Sequence, residues 1–168
     1  MIQRLTRALK HLISGSWTVN GYFSDQSLQR IEERVTAGEV DHSAEIRVVI
    51  EGSLSFGEVL WQDRQPRERA LEVFADLHVW DTQANNGILI YLLLADHDVE
   101  ILADRAADKE IAPAVWEGAI ELIREAFARQ AYEEGVINAV QSLNEALARR
   151  FPPSERNPDE LPNKPVIL

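Results

Sequence analysis

The stretch Val79 to Arg105, VWDTQANNGILIYLLLADHDVEILADR, decides how this chain folds. Its apolar run, Ile88 to Ala95, falls far short of the roughly 20 residues needed to cross a bilayer. Ile88 to Leu94 are apolar at odd and even positions alike, so both faces of this segment need cover, as in a central strand between helices. Ala95-Asp96-His97-Asp98 reads as a tight turn, and Val99 to Asp104 return as a second strand, necessarily antiparallel to the first.

Working outward, Pro66 suits the first turn of a helix over 67–79, with Ala70, Phe74 and Leu77 as its inward row. Before it, residues 52–57 read as a loop. Residues 45–51, EIRVVIE, alternate so that Ile46, Val48 and Ile50 share one face, the pattern of a half-covered strand. A helix between two strands calls for a right-handed parallel crossover. Further upstream, Ser24 or Asp25 caps a helix carrying Leu28, Ile31 and Val35, with Gly38 as its stop. Downstream, one helix starts near Pro113 with Trp116, Ala119 or Ile120, Ile123 and Phe127 in register. A last helix carries Tyr132, Val136, Val140, Leu143 and Leu147. Five of the seven prolines then fall between 152 and 165. That tail can be neither helix nor central strand, and its final Val166-Ile167-Leu168 either frays or docks.

The 168 residues suffice for one core. With 17 basic and 28 acidic residues the formal charge is −11, which disfavours nucleic-acid phosphates and favours a cation as partner. Absence of cysteine removes disulfides, thiolate nucleophiles and cysteine-based zinc sites, and fits a cytoplasmic location. The segment 2–13 is the exception in charge. It holds Arg4, Arg7 and Lys10 with no acidic residue, and sets Ile2, Leu5, Leu9 and Leu12 on one stripe. It is expected to pack on the acidic body, with peripheral contact to an anionic membrane surface as the alternative. Trp61, Trp80 and Trp116 read as core or lid residues.

The predicted topology brings Asn85-Asn86, Asp104-Arg105 and the start of the first strand, near Asp41, His42 and Glu45, to one end of the sheet. Asp81, Asn85, Asn86, Asp104 and Glu45 would offer the oxygen ligands that Ca²⁺ or Mg²⁺ prefers, with Arg105 beside them to meet an anion. The same residues also make an ordinary turn, since Asn-Asn-Gly tolerates φ > 0 and Asp81-Thr82 suits an Asx turn or helix stop. The spacing is not that of an EF-hand. At the other end, Asp96-His97-Asp98 is either a metal-binding triplet or, more simply, a solvated turn. There is no Gly-x-Ser-x-Gly, no phosphate-binding glycine loop and no dinucleotide fingerprint, so hydrolysis here would have to be metal-assisted.

Three stretches together resemble the TPM domain family, whose relatives include a thylakoid-lumen protein linked to photosystem II repair and a nematode receptor modulator. They are AEIRVVIEG, then RERALEVFADLHVWDTQANNGILIYLLLADHDVEILADR, then WEGAIELIREAFARQAYEEGVINAVQSLNEALARRFP, where Phe127, Tyr132 and Gly135 match a family element. The resemblance implies an α/β fold, a three-layer αβα sandwich with a small mixed sheet formed by a parallel crossover and an antiparallel hairpin. It divides the chain into N-terminal helices over 1–38, a core over 39–151 and a tail over 152–168. It further implies divalent-cation binding, most often calcium, and an acid phosphatase activity. The family's Asn-Gly falls on Asn86-Gly87, its acidic turn on Asp81, and its third-strand end on Asp104-Arg105. Many relatives place a glycine-rich turn where this chain has Asp104-Arg105-Ala106-Ala107-Asp108, and many carry an export signal and a membrane tail. A short cytosolic member of this kind resembles the companions of membrane-associated LemA-type proteins. The expected function is therefore cation binding that acts through a protein partner, with a metal-dependent phosphatase and a membrane-surface adaptor as alternatives.

Overall fold

A computed structural model describes residues 2–153 and 158–168, with only the backbone of Ser16 and Trp17; the stretch 154–157 of the predicted tail lies outside it. Helices α1 (Ile2–Ile13), α2 (Ser16–Tyr22) and α3 (Asp25–Glu39) lead into strand β1 (Glu45–Glu51). Helices α4 (Phe56–Leu60) and α5 (Pro66–Asp76) precede β2 (Gly87–Leu93), and a 3-10 turn (Leu94–Asp96) leads to β3 (Asp98–Ala103). Helices α6 (Arg105–Glu110), α7 (Pro113–Ala128) and α8 (Tyr132–Arg150) follow, and β4 (Val166–Ile167) closes the chain. The sheet runs β3-β2-β1-β4, with β1 parallel to β2 and to β4, and β2 antiparallel to β3. Two apolar clusters lie on its two faces. Ile46, Val48 and Ile50 join Ile88, Ile90 and Leu92 beneath α3, α7 and α8. Val49, Leu89, Tyr91 and Leu93 meet Val59, Ala70 and Val73 of α4 and α5 on the other. The chain is thus the expected αβα sandwich on a mixed sheet.

Several elements depart from expectation for local reasons. The segment read as a loop contains α4, whose Ser55 Oγ accepts the Glu58 N–H while the Glu58 carboxylate accepts the Ser55 N–H. That reciprocal pair is the Ser-x-x-Glu capping signature. Asp104 caps α6 in the same spirit, its Oδ1 accepting from the Arg105 N–H at 2.7 Å. Helix α5 stops at Asp76 because His78 turns to φ 53°. Gly38 is inside α3 and does not stop it: a Cβ there would lie 2.1 Å from Asn144 Nδ2 on α8, so glycine lets the two helices touch.

Strand β1 is buried along its whole length, on both faces, not half-covered. Its second face consists of Glu45, Arg47, Val49 and Glu51, and the charged groups there are met individually. Glu51 accepts the Tyr91 hydroxyl at 2.7 Å and the Arg69 Nε–H at 2.9 Å. Arg47 donates to the Lys164 carbonyl at 3.4 Å, and Glu45 accepts from the Glu160 and Leu161 N–H groups, both at 3.2 Å. The proline-rich tail is therefore docked where it is described, and β4 ends it as a short edge strand, a position prolines permit.

The N-terminal helix is oriented opposite to its aliphatic stripe. It buries Ala8 and His11, while Ile2, Leu5, Leu9 and Leu12 face outward. A polar anchor holds it. Arg7 donates twice to Asp96, through Nε at 3.0 Å and Nη2 at 2.7 Å. His11 Nδ1 accepts the Leu54 N–H at 2.9 Å, so its proton sits on Nε2 and is donated to Asp96 at 3.0 Å. Arg4 pairs with Asp63. The basic residues thus meet the acidic body as expected, but the apolar stripe does not. Trp61 and Trp80 are also exposed and form no part of the core.

Gly87 fixes the junction of turn and central strand. A Cβ there would stand 1.9 Å from the Val79 carbonyl oxygen, and its φ is not positive, so the requirement is closeness and not left-handed backbone. Asn85 supplies the left-handed residue, at φ 53°. Gly87→Ala is expected to cost at least about 2 kcal/mol in urea unfolding, since backbone must move to admit the methyl group. Burial alone would raise the Asp96 carboxyl, but His11 and Arg7 hold it well below the usual carboxylate range. A depressed acid stabilises above its unfolded-state value and loses that contribution as pH falls. Asp96→Asn is therefore expected to speed amide exchange in α1 at neutral pH at least tenfold, with α7 and α8 unchanged, and the parent should show the same loosening in strong acid.

Candidate cation site at the start of the parallel strands

Glu45 pairs with Gly87 in the parallel ladder, and Ile88 pairs with Ala103 in the antiparallel one. The beginnings of β1 and β2 and the end of β3 therefore share one end of the sheet. The Asp104 N–H donates to the Gly87 carbonyl at 2.8 Å and the Ala106 N–H to the Asn85 carbonyl at 2.9 Å, which ties the start of α6 to the turn before β2.

The predicted site residues separate into three groups at this end. Asn86 and Asp104 flank Gly87, one by sequence and one by pairing. Asn86 is wholly buried. Its Nδ2 donates to the Ser43 carbonyl at 2.9 Å, which fixes the amide orientation, and its N–H donates to Thr82 Oγ1 at 3.1 Å. That leaves Asn86 Oδ1 buried with no hydrogen-bond partner among the described residues, and Asp104 Oδ2 is in the same state. Buried acceptors are nearly always satisfied, so two unmatched oxygens on either side of one residue call for a ligand or water. Asn85 and Arg105 form the second group, Asn85 Oδ1 accepting from Arg105 Nη2 at 2.8 Å. The Arg105 side chain is 84% exposed, with its Nε 3.8 Å from Asp104 Oδ1. Asp81 stands apart on the turn, exposed, with no side-chain partner among the described residues and its backbone N–H on the His78 carbonyl at 2.9 Å.

Glu45 heads the third group, together with Glu39 and Asp159. One carboxylate oxygen from each lies within 4.8 Å of the others, a spacing that could hold a cation. Sequence reading missed Glu39 and Asp159. Glu39 is the last residue of α3 and Asp159 belongs to the docked tail, so only the fold brings them beside Glu45. Burial, then the neighbouring Glu45 charge, push the Glu39 carboxyl up to about 8, against the Asn163 Nδ2–H that donates to it at 2.6 Å. Burial likewise raises Glu45, against the two tail N–H groups.

The Asp96-His97-Asp98 triplet does not converge. Asp96 is committed to Arg7 and His11, Asp98 Oδ1 accepts from the Val99 N–H and from Arg124, and His97 turns to φ 53° as the left-handed residue of the hairpin. The structure makes it a turn that anchors α1.

A sequence model of one family, the TPM domain, matches residues 19–146. Among solved structures, the chain is similar to the BA42 protein of the psychrophilic bacterium Bizionia argentinensis. The two share 25% identity and a TM-score of 0.77 over 87% of this chain and 95% of that one. It is also similar in fold to the N-terminal domain of a P. gingivalis protein, with 20% identity and a TM-score of 0.62 over 78% of this chain and 80% of that one. No match was found among curated proteins.

The raised Glu39 carboxyl has a signed consequence. An acid whose folded-state value lies above its unfolded one stabilises most at low pH and loses that contribution as pH rises, here from about 4.5 towards about 8. Urea unfolding should show stability falling across that window, and Glu39→Gln should flatten the slope.

Proposed function

The chain belongs to the TPM domain family, and from that membership we propose that it is a divalent-cation-binding domain that acts through a protein partner. The cation site lies at the end of the sheet around Gly87. The observation that carries this reading is the pair of buried, unmatched oxygens, Asn86 Oδ1 and Asp104 Oδ2. Amide and carboxylate oxygens are the donors that Ca²⁺ and Mg²⁺ take, and these two give up no existing bond to reach a cation. The Glu39, Glu45 and Asp159 cluster supports it from the neighbouring strand, because a divalent charge there would offset the mutual repulsion of carboxylates held out of water. Asp81 and Asn85 lie on the same turn, where Asn85 Oδ1 already accepts from Arg105, and each would have to turn towards the cation to join its shell.

Binding is the primary role because the hydroxyl and imidazole groups nearby are already engaged. Thr82 Oγ1 accepts from the Asn86 N–H, and the buried His42 Nε2 is 3.0 Å from Asn144 Oδ1. One observation favours a second reading, phosphomonoester hydrolysis. The exposed Arg105 guanidinium beside Asp104 is placed to hold a phosphate, and a bound cation would supply polarisation of the phosphoryl oxygen.

Titration with Ca²⁺ and with Mg²⁺ followed by amide NMR is expected to move the resonances of residues 85–87, Asp104 and Glu45 together. Asp104→Asn should weaken binding by about tenfold, the effect of removing one charged ligand. Unchanged spectra at millimolar cation would refute the reading. Shifts confined to Glu39, Glu45 and Asp159, insensitive to Asp104→Asn, would move the site to the carboxylate cluster. Phosphatase turnover that survives Asp104→Asn and Arg105→Ala would remove the second reading.

A further inference from the structure

The N-terminal helix displays what a helix packed on a core ordinarily hides. Ile2, Leu5, Leu9, Leu12 and Ile13 keep between 45% and 83% of their surface exposed, and Trp61, at the end of α4, keeps 77%. A cleft of about 570 Å³ between α1 and α4, lined by Arg4, Leu5, Leu60 and Trp61, joins the two parts of this patch. Six exposed large apolar side chains grouped in one ridge, unlike singly scattered ones, mark an interaction surface.

The helix is not a loose flap. Its opposite side is fixed by Ala8, by the Arg7 and His11 bonds to Asp96, and by the Leu54 N–H on His11. The whole ridge is thus presented at once, and undocking is not needed to expose it.

Charge selects the occupant. Every charged residue of α1 is basic, while the rest of the chain carries −14, that is −11 less the +3 of Arg4, Arg7 and Lys10. Arg7 is committed to Asp96, and Arg4 pairs with Asp63 while staying half exposed. Lys10, exposed on the helix surface, has no ion pair among the described residues, and an anionic surface meets it favourably. An amphipathic helix with aliphatic residues on one side, only Lys and Arg as charges, and a neighbouring tryptophan has the composition that lies in the plane of a bilayer interface.

We propose that α1 and Trp61 form a membrane-docking face that seats the protein on an anionic lipid surface, with the acidic body and the sheet end around Gly87 outside the bilayer. This face stands independently of the cation reading, since none of its residues belongs to that site.

Co-sedimentation of the full chain with phosphatidylcholine vesicles, with and without phosphatidylserine, tests it in buffer free of divalent cations. Binding is expected with phosphatidylserine, falling at least tenfold in Leu5→Glu/Leu9→Glu/Leu12→Glu protein and severalfold in Lys10→Gln or at high salt. These positions are exposed, and an unchanged circular dichroism melt will show that the variants fold. A blue shift of tryptophan emission on vesicle binding should disappear in Trp61→Phe. Absence of binding to phosphatidylserine vesicles overturns the proposal, as does equal binding to both vesicle types. Sedimentation velocity showing a dimer that the triple variant abolishes, without vesicle binding, would instead assign the ridge to a second copy and also overturn it.

Discussion

Strand β1 must bury three charged side chains on one face, and much of the architecture answers that demand. An unpaired charge taken out of water costs far more than the apolar packing around it returns, so each of Glu45, Arg47 and Glu51 needs a partner within reach. Glu51 obtains Arg69 from α5 and the hydroxyl of Tyr91 from β2. Glu45 and Arg47 obtain backbone groups from the tail. This requirement explains why a segment with no capacity for helix or central strand is nonetheless an integral layer. The tail brings free N–H and C=O groups that a regular element would have spent on itself.

The same economy operates at the hairpin. Asp96, His97 and Asp98 look in sequence like a group of ligands with one purpose, but the turn gives each a different direction. Asp96 becomes the point at which the N-terminal helix is fastened, and the neutral tautomer of His11 is dictated by its accepting from the Leu54 N–H. Because this anchor is polar and local to Arg7 and His11, the helix does not need its aliphatic residues for attachment. That frees the stripe to face outward, which apolar patterning alone would not suggest.

What could be read from sequence were features whose cause is local. The apolar run of β2, its tight return into β3, Pro66 and Pro113 at helix starts and the heptad-like spacing of α8 all declare themselves within a few residues. So does the meeting of Asn85, Asn86, Asp104 and Glu45 at one end of the sheet, because it follows from strand directions. Less legible was anything set by distant partners. Gly38 looked like a helix stop because glycine often is one, whereas its role depends on Asn144 more than 100 residues away. The alternation in EIRVVIE signalled one solvated face, and only the docked tail and α5 convert it into a second interior. The stripe on α1 has the pattern of a buried face, and periodicity is silent on which side of a helix a polar anchor will choose. Helix α4 was recoverable from its capping box, but the five-residue element is too short for hydrophobic periodicity to announce it.

The two ends of β1 show why the Gly87 end is the one to examine for function. Both ends bury a glutamate on the same face of the same strand. At the far end Glu51 receives a guanidinium and a phenol, and the Arg69 guanidinium is held firmly in its charged state by that contact. At the near end Glu45 receives two neutral N–H groups and no basic side chain among the described residues, and its carboxyl is raised by burial. Asn86, next to the ladder partner of Glu45, and Asp104, whose N–H donates to the carbonyl of that partner, Gly87, each leave an oxygen unmatched. The near end thus differs from the far end in leaving oxygen acceptors unmatched among the described residues, and the proposed cation site rests on that difference.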